Sequence, residues 1–407
     1  MSASRCISGS KVEYGGMGMV IETHDGFAAK GMREELRSSS IQRGRFDDEM
    51  EFSLDLGDDP SGLFPAVNSI QREVRYDVTN GRSSMSGSAD FIVMEKLQGK
   101  TLREHIDGTY GLGVPKVASI ATQIAKALEV IHGRGLVHRD IKPDNAYVLP
   151  DGRVKVLDFD LASNRKRPLP FDATEGVLIG SPSYMGPECY CGVKTDPRSD
   201  QYGLGVIIWE ALTGKRMIPT YSYESWIRAY GSIPFISQYD SMAARICSFV
   251  PSRHGDLVKH LKSFLSFSPQ SKYSNLWLRG EDPMGVQELL RHKLDTALNM
   301  VKHVHYEDRH RRLREDVRVR SHQYLSPGGF HAFKRRFDSE MMKLRSRCQN
   351  VRLCDIVERL LAPDTAKRFS SAHEVAVELA EIAVIENPEL RLTEPFYTLL
   401  GRATSAY

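Results

Sequence analysis

The 407-residue chain lacks the long apolar run that a bilayer-spanning helix needs, and its start carries no apolar core of a secretory signal. A cytoplasmic location is therefore expected, although export without a cleaved signal would leave no trace in the sequence. Cysteine is sparse. The six residues are scattered, no two CxxC units occur, and Cys189-x-Cys191 alone is a poor zinc signature, so reduced thiols are expected. No histidine spacing of the zinc type and no internal repeat is present. Charge of one sign is also missing. Lysine plus arginine number 55 against 52 acids, a formal net charge of +3, which does not by itself point to nucleic acid. With 41% hydrophobic and 26% charged residues the composition is that of a globular chain, long enough for one large core or two lobes.

What the chain does have is concentrated in His138-Arg139-Asp140-Ile141-Lys142-Pro143-Asp144-Asn145. Phosphoryl transfer needs a carboxylate to take the proton of the attacking group. It needs a cation against the charge of the transferred group, and an oxygen ligand for Mg²⁺. Asp140, Lys142 and Asn145 offer those parts in that order, on a turn held by Pro143. The stretch resembles the catalytic loop of the eukaryotic-type (Hanks-type) serine/threonine protein kinases.

The resemblance extends to both sides of that loop. Val12 to Val20 reads as strand, glycine turn and strand, and Phe27-Ala28-Ala29-Lys30 as a third strand. In the family such a glycine loop covers the nucleotide phosphates and the strand lysine reaches the α- and β-phosphates. This implies nucleotide-binding roles for Val12, Gly15, Gly18, Val20, Ala28 and Lys30. The first glycine of the family pattern is replaced here by Glu13. Lys30 then needs a carboxylate from the following helix, expected over Ile41 to Leu56. Glu49 is the choice and Glu51 the alternative. Leu63 to Ile70 and Ala89 to Glu95 read as two further strands with a polar loop, Ser83 to Ser88, between them. Phe91 to Leu97 is similar to the family's last small-lobe strand and hinge. Met94 would then back the adenine pocket, and the backbone of Glu95 to Leu97 would meet the adenine edge.

A helix is expected from Lys116 to His132, with apolar residues at helical spacing. Lys155-Val156-Leu157 reads as a strand ending at Asp158-Phe159-Asp160. Asp158 resembles the family's metal-binding aspartate, and Asp160 stands where the family has glycine. Gly180 to Glu188 resembles the end of an activation segment. Arg139 would dock a phosphate on that segment, with Thr174 the best-placed acceptor. Asp200 to Leu212 resembles the buried helix beneath the catalytic loop. Leu360 to Arg368 resembles the closing motif, whose arginine would pair with Glu188.

Between these last two motifs lies a gap far longer than the family needs. Gly285 to Val304 is amphipathic, and basic residues follow from Arg309 to Arg347 with acids interleaved. One continuous helix over 285–325, or a bent pair, are both compatible with the pattern. None of residues 280–347 is expected to be needed for chemistry.

The resemblance implies an α+β bilobal kinase-like fold. The small lobe, residues 1–97, would be antiparallel β. The large lobe, residues 98–407, would be mainly helical and carry the basic helical insertion at about 221–347. It further implies ATP and Mg²⁺ as cofactors, with Asn145 and Asp158 as metal ligands and Asp140 and Lys142 as catalytic groups. The partner implied is a protein bearing Ser/Thr acceptors; the charge of the insertion itself reads either as a solvated helical face or as a surface for an acidic partner, a substrate or nucleic acid. A pseudokinase scaffold is the alternative, on the strength of Glu13 and Asp160.

Overall fold

The structure, a computed structural model, describes residues 6–14, 18–80, 83–164, 180–190, 196–217, 242–243, 245–251, 254–265, 283–302, 310–317, 328–362 and 364–392. The chain divides into two compact units. The first holds residues 1–173, 211–215 and 371–407, the second residues 174–210 and 216–370.

In the first unit, five strands close into a barrel in the order β1-β2-β3-β5-β4. They are β1 (Cys6–Tyr14), β2 (Gly18–Thr23), β3 (Phe27–Met32), β4 (Val67–Asn80) and β5 (Ser83–Glu95). Four of the five pairings are antiparallel. The fifth is the exception within the mainly antiparallel sheet that was expected: Cys6–Gly9 of β1 pair in parallel with Arg75–Val78 of β4. Closure of this kind removes the open edges of the sheet. It is possible because β4 and β5 are longer than the sequence suggested. The expected polar loop at Ser83–Ser88 is strand instead, paired out to Asn80 and Ser83. Val74, Tyr76 and Val78 alternate inward, while Ser84, Ser86 and Ser88 lie on the exposed face, so period-2 patterning was present under a polar composition.

Ile7, Ile21, Ala29, Tyr76, Phe91 and Val93 are among the residues that fill the barrel. Tyr76 and Phe91 meet edge to face at 5.7 Å. Outside it, Met32 and Ile92 pack with Phe46 and Met50 of α1 (Ser40–Gly57), whose first turn is capped by Ser39 accepting the Gln42 N–H. These contacts fix the rotation of α1, and with it the direction of Glu49. Gly9 sits at a bulge where a Cβ would meet the Glu22 carbonyl at 2.4 Å, so only glycine fits there.

Also in the first unit, α3 (Val114–Gly133) buries Val117, Ile120, Ile124, Leu128 and Ile131 and packs along α10 (Ala372–Glu386). β6 (Lys100–Thr101) and α2 (Leu102–Ile106) precede α3; short strands β7 (Leu136–Val137), β8 (Ala146–Val148) and β9 (Val154–Val156) follow it and carry the motif residues. Among the described residues α4 (Pro187–Tyr190) is the first α-helix of the second unit.

The second unit contains most of α5 (Pro197–Thr213), buried nearly all round through Tyr202, Leu204 and Val206 to Trp209. It also contains α6 (Gly255–Leu265), α7 (Pro283–Met300), α8 (Gly328–Arg347) and α9 (Val351–Leu360). The long projection over 285–325 does not form. α7 ends at Met300, followed by turn bonds from Val301 to Ala297 and from Lys302 to Asn299. Nor is α8 a solvated appendage. Its Glu340, Met341 and Leu344 are buried, and the Trp209 indole donates to the Glu340 carbonyl at 3.0 Å. The basic residues Lys343, Arg345 and Arg347 occupy the outer face only. Arg345 is there bound to Asp355 and Glu358 of α9 at 2.8 and 2.6 Å.

Within the same unit Arg368 and Glu188 form a bidentate pair, with both N···O distances 2.7 Å. Thr174 and residues 165–179 lie outside the described residues.

Candidate active site

Three segments of the first unit bring the motif residues together. β3 sets Lys30 opposite Val20 on one side and Ile92 on the other. α1 presents Glu49 on the face that also carries Phe46 and Met50. The β8–β9 hairpin places Asp158 beside Asn145, through a Leu157 N–H to Asn145 carbonyl bond of 2.9 Å. Lys30 Nζ meets both Glu49 Oε1 and, at 2.5 Å, Asp158 Oδ1. Glu51, the alternative partner, is exposed.

Asp158 adopts φ +70°, and Arg139 in the catalytic loop φ +66°. Non-glycine residues adopt this left-handed region rarely, and such residues gather at functional sites. His138 at 3.1 Å from the Leu157 carbonyl, and the Arg139 Nε donating to the Leu161 carbonyl at 2.7 Å, hold this part of the chain.

Asp140 is buried. Its Oδ2 lies 2.5 Å from Lys142 Nζ, and the Asn145 amide donates to its backbone carbonyl at 2.9 Å and to Oδ2 at 3.2 Å. Asp140, Lys142 and Asn145 therefore form one hydrogen-bonded group, as their spacing suggested.

Beside these residues is a cavity of about 410 Å³. Its apolar lining includes Val20, Ala28, Met94, Leu97 and Leu157. Its polar lining includes Lys30, Glu49, Asn145 and Asp158, with Gly18 beside Lys30. Glu95 also lines it. Val12 does not; it packs against the barrel core. Gly15 lies outside the described residues. A Cβ on Gly18 would sit 3.2 Å from the Gly31 carbonyl and 3.3 Å from Lys30 Cε, so glycine keeps that approach open.

Several lining residues were not anticipated: Phe64 and Pro65 after α1, Tyr147 on β8 and Asp160. Phe64 is one of a short apolar run that read simply as strand. Tyr147 follows Asn145 by two residues, the inward period of a strand, which was a usable signal.

The electrostatics follow from burial. Burial pushes the Lys30 ammonium down, but Asp158 and Glu49 outweigh it and hold its pKa above the usual lysine value. Burial likewise works against the charged form of Asp158, and the Lys30 ammonium outweighs it, so Asp158 is held below the usual range. Among the described residues Asp160 has no such direct partner. Burial and then the neighbouring Asp158 push it up to about 6. Lys142 is raised: burial opposes its charge, but Asp140 prevails.

A cavity lined by apolar side chains together with an ammonium, a carboxamide and carboxylates has the chemistry that a nucleotide-binding phosphotransferase site needs. Comparison with known proteins agrees. The family described as protein kinase domain matches residues 74–379. A probable serine/threonine-protein kinase of Clostridium acetobutylicum is 32% identical over 209 residues, 51% of this chain and 29% of that protein. Serine/threonine-protein kinase PknA of Mycobacterium tuberculosis is 32% identical over 210 residues, 50% of this chain and 46% of that protein. Serine/threonine-protein kinase Pkn1 of Myxococcus xanthus is 39% identical over 129 residues, 31% of this chain and 18% of that protein. The chain belongs to the protein kinase family, and it spans less than half the length of these relatives. Among the described residues no helix is long and apolar enough to cross a membrane.

Proposed function

We propose that the chain is an ATP-dependent serine/threonine protein kinase, transferring the γ-phosphoryl group of ATP to Ser/Thr hydroxyls of a protein. The observation that carries this reading is the meeting of Lys30 with both Glu49 and Asp158 in the lining of the cavity, which Asn145 shares. The relatives' names add to it.

The residues present fit the nucleotide. The volume lies in the range of small-molecule sites. The apolar slot suits a planar base, with Met94 behind it and the backbone of Glu95 to Leu97 along its edge. They also fit Mg²⁺. Among the described residues no three His, Cys, Asp or Glu gather as a closed cage. Asn145 and Asp158 are the sparse oxygen pair such an ion takes when waters and phosphates complete its shell. When bound, the nucleotide supplies the phosphoryl group and the ion offsets its charge.

The chain's own groups do the rest. Lys30, held by Glu49, fixes the non-transferred phosphates. Asp140 orients the acceptor hydroxyl and takes its proton. Lys142 offsets charge on the transferred phosphoryl group. We assign the nucleotide-holding lobe to residues 1–97 and the substrate-side lobe to 98–407. Residues 221–347 are an insertion relative to the family, whose exposed arginines and lysines would attract an acidic partner. Incubation with γ-labelled ATP, Mg²⁺ and a generic basic protein tests the reading: label on phosphoserine or phosphothreonine is expected, and its absence at every divalent cation tried would favour the scaffold reading that Asp160 suggests.

A further inference from the structure

Lys155, on β9 three residues ahead of Asp158, is a buried ammonium that phosphoryl transfer does not use. Its Nζ donates to the Phe64 carbonyl at 2.9 Å and meets Glu95 Oε1. That same Oε1 accepts the Ala66 N–H at 2.7 Å. Two backbone bonds run alongside: Glu95 N–H to the Ala66 carbonyl at 2.9 Å, and Val156 N–H to the Leu63 carbonyl at 2.8 Å. The link Leu63–Ala66, which leads out of α1, is thereby fastened both to the end of β5 and to β9.

Each fastened segment serves the cavity. Phe64 and Pro65 wall it, Glu95 ends the strand that carries Met94, and β9 delivers Leu157 and Asp158. The Phe64 ring also meets Phe159, with centroids 6.0 Å apart. We propose that Lys155, through Glu95, is a positioning residue for nucleotide binding, clasping the three segments that form the rear wall of the cavity. This rests on the kinase reading of the same site.

The physical argument is one of shared partners. A buried ammonium with one carboxylate and one carbonyl cannot be removed without leaving both acceptors short of a donor. Glu95 is the more exposed partner, with 36% of its side chain accessible against 9% for Lys155. Water can replace the cation at Glu95 but not at the Phe64 carbonyl. The loss therefore falls on the wall formed by Phe64 and Pro65 rather than on Asp140 and the transfer step.

The test compares wild type, Lys155→Met, Glu95→Gln and the double variant. Binding of a fluorescent ATP analogue is measured without turnover, together with kcat, the KM values for ATP and for a generic peptide, and Tm. Lys155→Met is expected to weaken analogue binding and raise the ATP KM by about tenfold, with kcat within about twofold and the peptide KM unchanged. Glu95→Gln should move the same quantity in the same direction, and the double variant should be no worse than the poorer single, because the two act as one contact. Variants that lose Tm but bind the analogue like wild type overturn the proposal, as does a variant that gains turnover. Where Lys155→Met fails to fold, Glu95→Gln reads the contact from its half-exposed end, and wild-type affinity in that variant overturns the proposal. Wild-type protein that binds no nucleotide would overturn the kinase reading itself, and the clasp with it.

Discussion

Replacing Arg368 with methionine strikes a fully buried ion pair of the second unit. The side chains of Arg368 and Glu188 are 0% and 2% exposed, and the guanidinium makes two 2.7 Å bonds to the carboxylate. It also donates to the Ala362 and Arg198 carbonyls, both at 2.9 Å, and lies 5.2 Å from the Tyr202 ring centre. Methionine fills much of the volume but leaves Glu188 charged, buried and unpaired. Removing one partner of such a pair costs about 3–5 kcal/mol. For a unit of this size each kcal/mol moves Tm by about 2–4 °C, so a fall of roughly 6–20 °C is expected. Circular dichroism melts of wild type, Arg368→Met and the double variant with Glu188→Gln provide the assay. The double variant should recover part of the loss, because the stranded charge is gone even though the two carbonyls still lack their donor. Arg368→Met melting within about 2 °C of wild type would refute the reasoning, since no uncompensated charge would then have been buried.

Lys30→Met should abolish label transfer while sparing the fold, because burial already pushes Glu49 up to about 7 and it can take a proton once the ammonium is gone, while Asp158 is partly open to water; an active Lys30→Met protein would mean that another lysine holds the phosphates. Asp160→Asn removes a half-buried carboxylate facing the phosphate end and should tighten Mg²⁺-free ATP binding by about 1–2 kcal/mol, the size of one such repulsion at partial screening, and tighten it less with Mg²⁺ present. Equal affinities for the two proteins without Mg²⁺, measured by titration calorimetry, would contradict it. Deleting 285–345 should now unfold the second unit rather than leave it intact, because Glu340, Met341 and Leu344 are part of its core; a soluble deletion protein with native far-UV circular dichroism would contradict that.

The family was legible because its motifs are local, and the comparisons bear the reading out. Glu49 was the choice among four nearby acids on the resemblance alone; in α1 it lies buried, with Phe46 one turn before it, while Glu51 is exposed. What was hidden is non-local or masked by composition. Nothing local to Cys6–Gly9 says that it will pair in parallel with Arg75–Val78. The serines of β5 looked like loop because only the face they share with solvent was polar. Lys155 read only as part of a short strand, since a buried lysine is recognisable only through Glu95 and Phe64, which are distant in sequence. α8 read as a solvated basic helix because its charge count conceals Met341 and Leu344, which set its buried side.

The most direct test of the central claim is Asp140→Asn measured two ways on the same preparation: transfer of label from γ-labelled ATP to a basic protein, and binding of a fluorescent ATP analogue. Asn keeps the size of Asp140 and its place beside Asn145 and Lys142, but cannot take the proton. The account predicts label transfer lowered by about 10²–10⁴ with analogue binding within a few-fold of wild type. Label transfer above a tenth of wild type would contradict it.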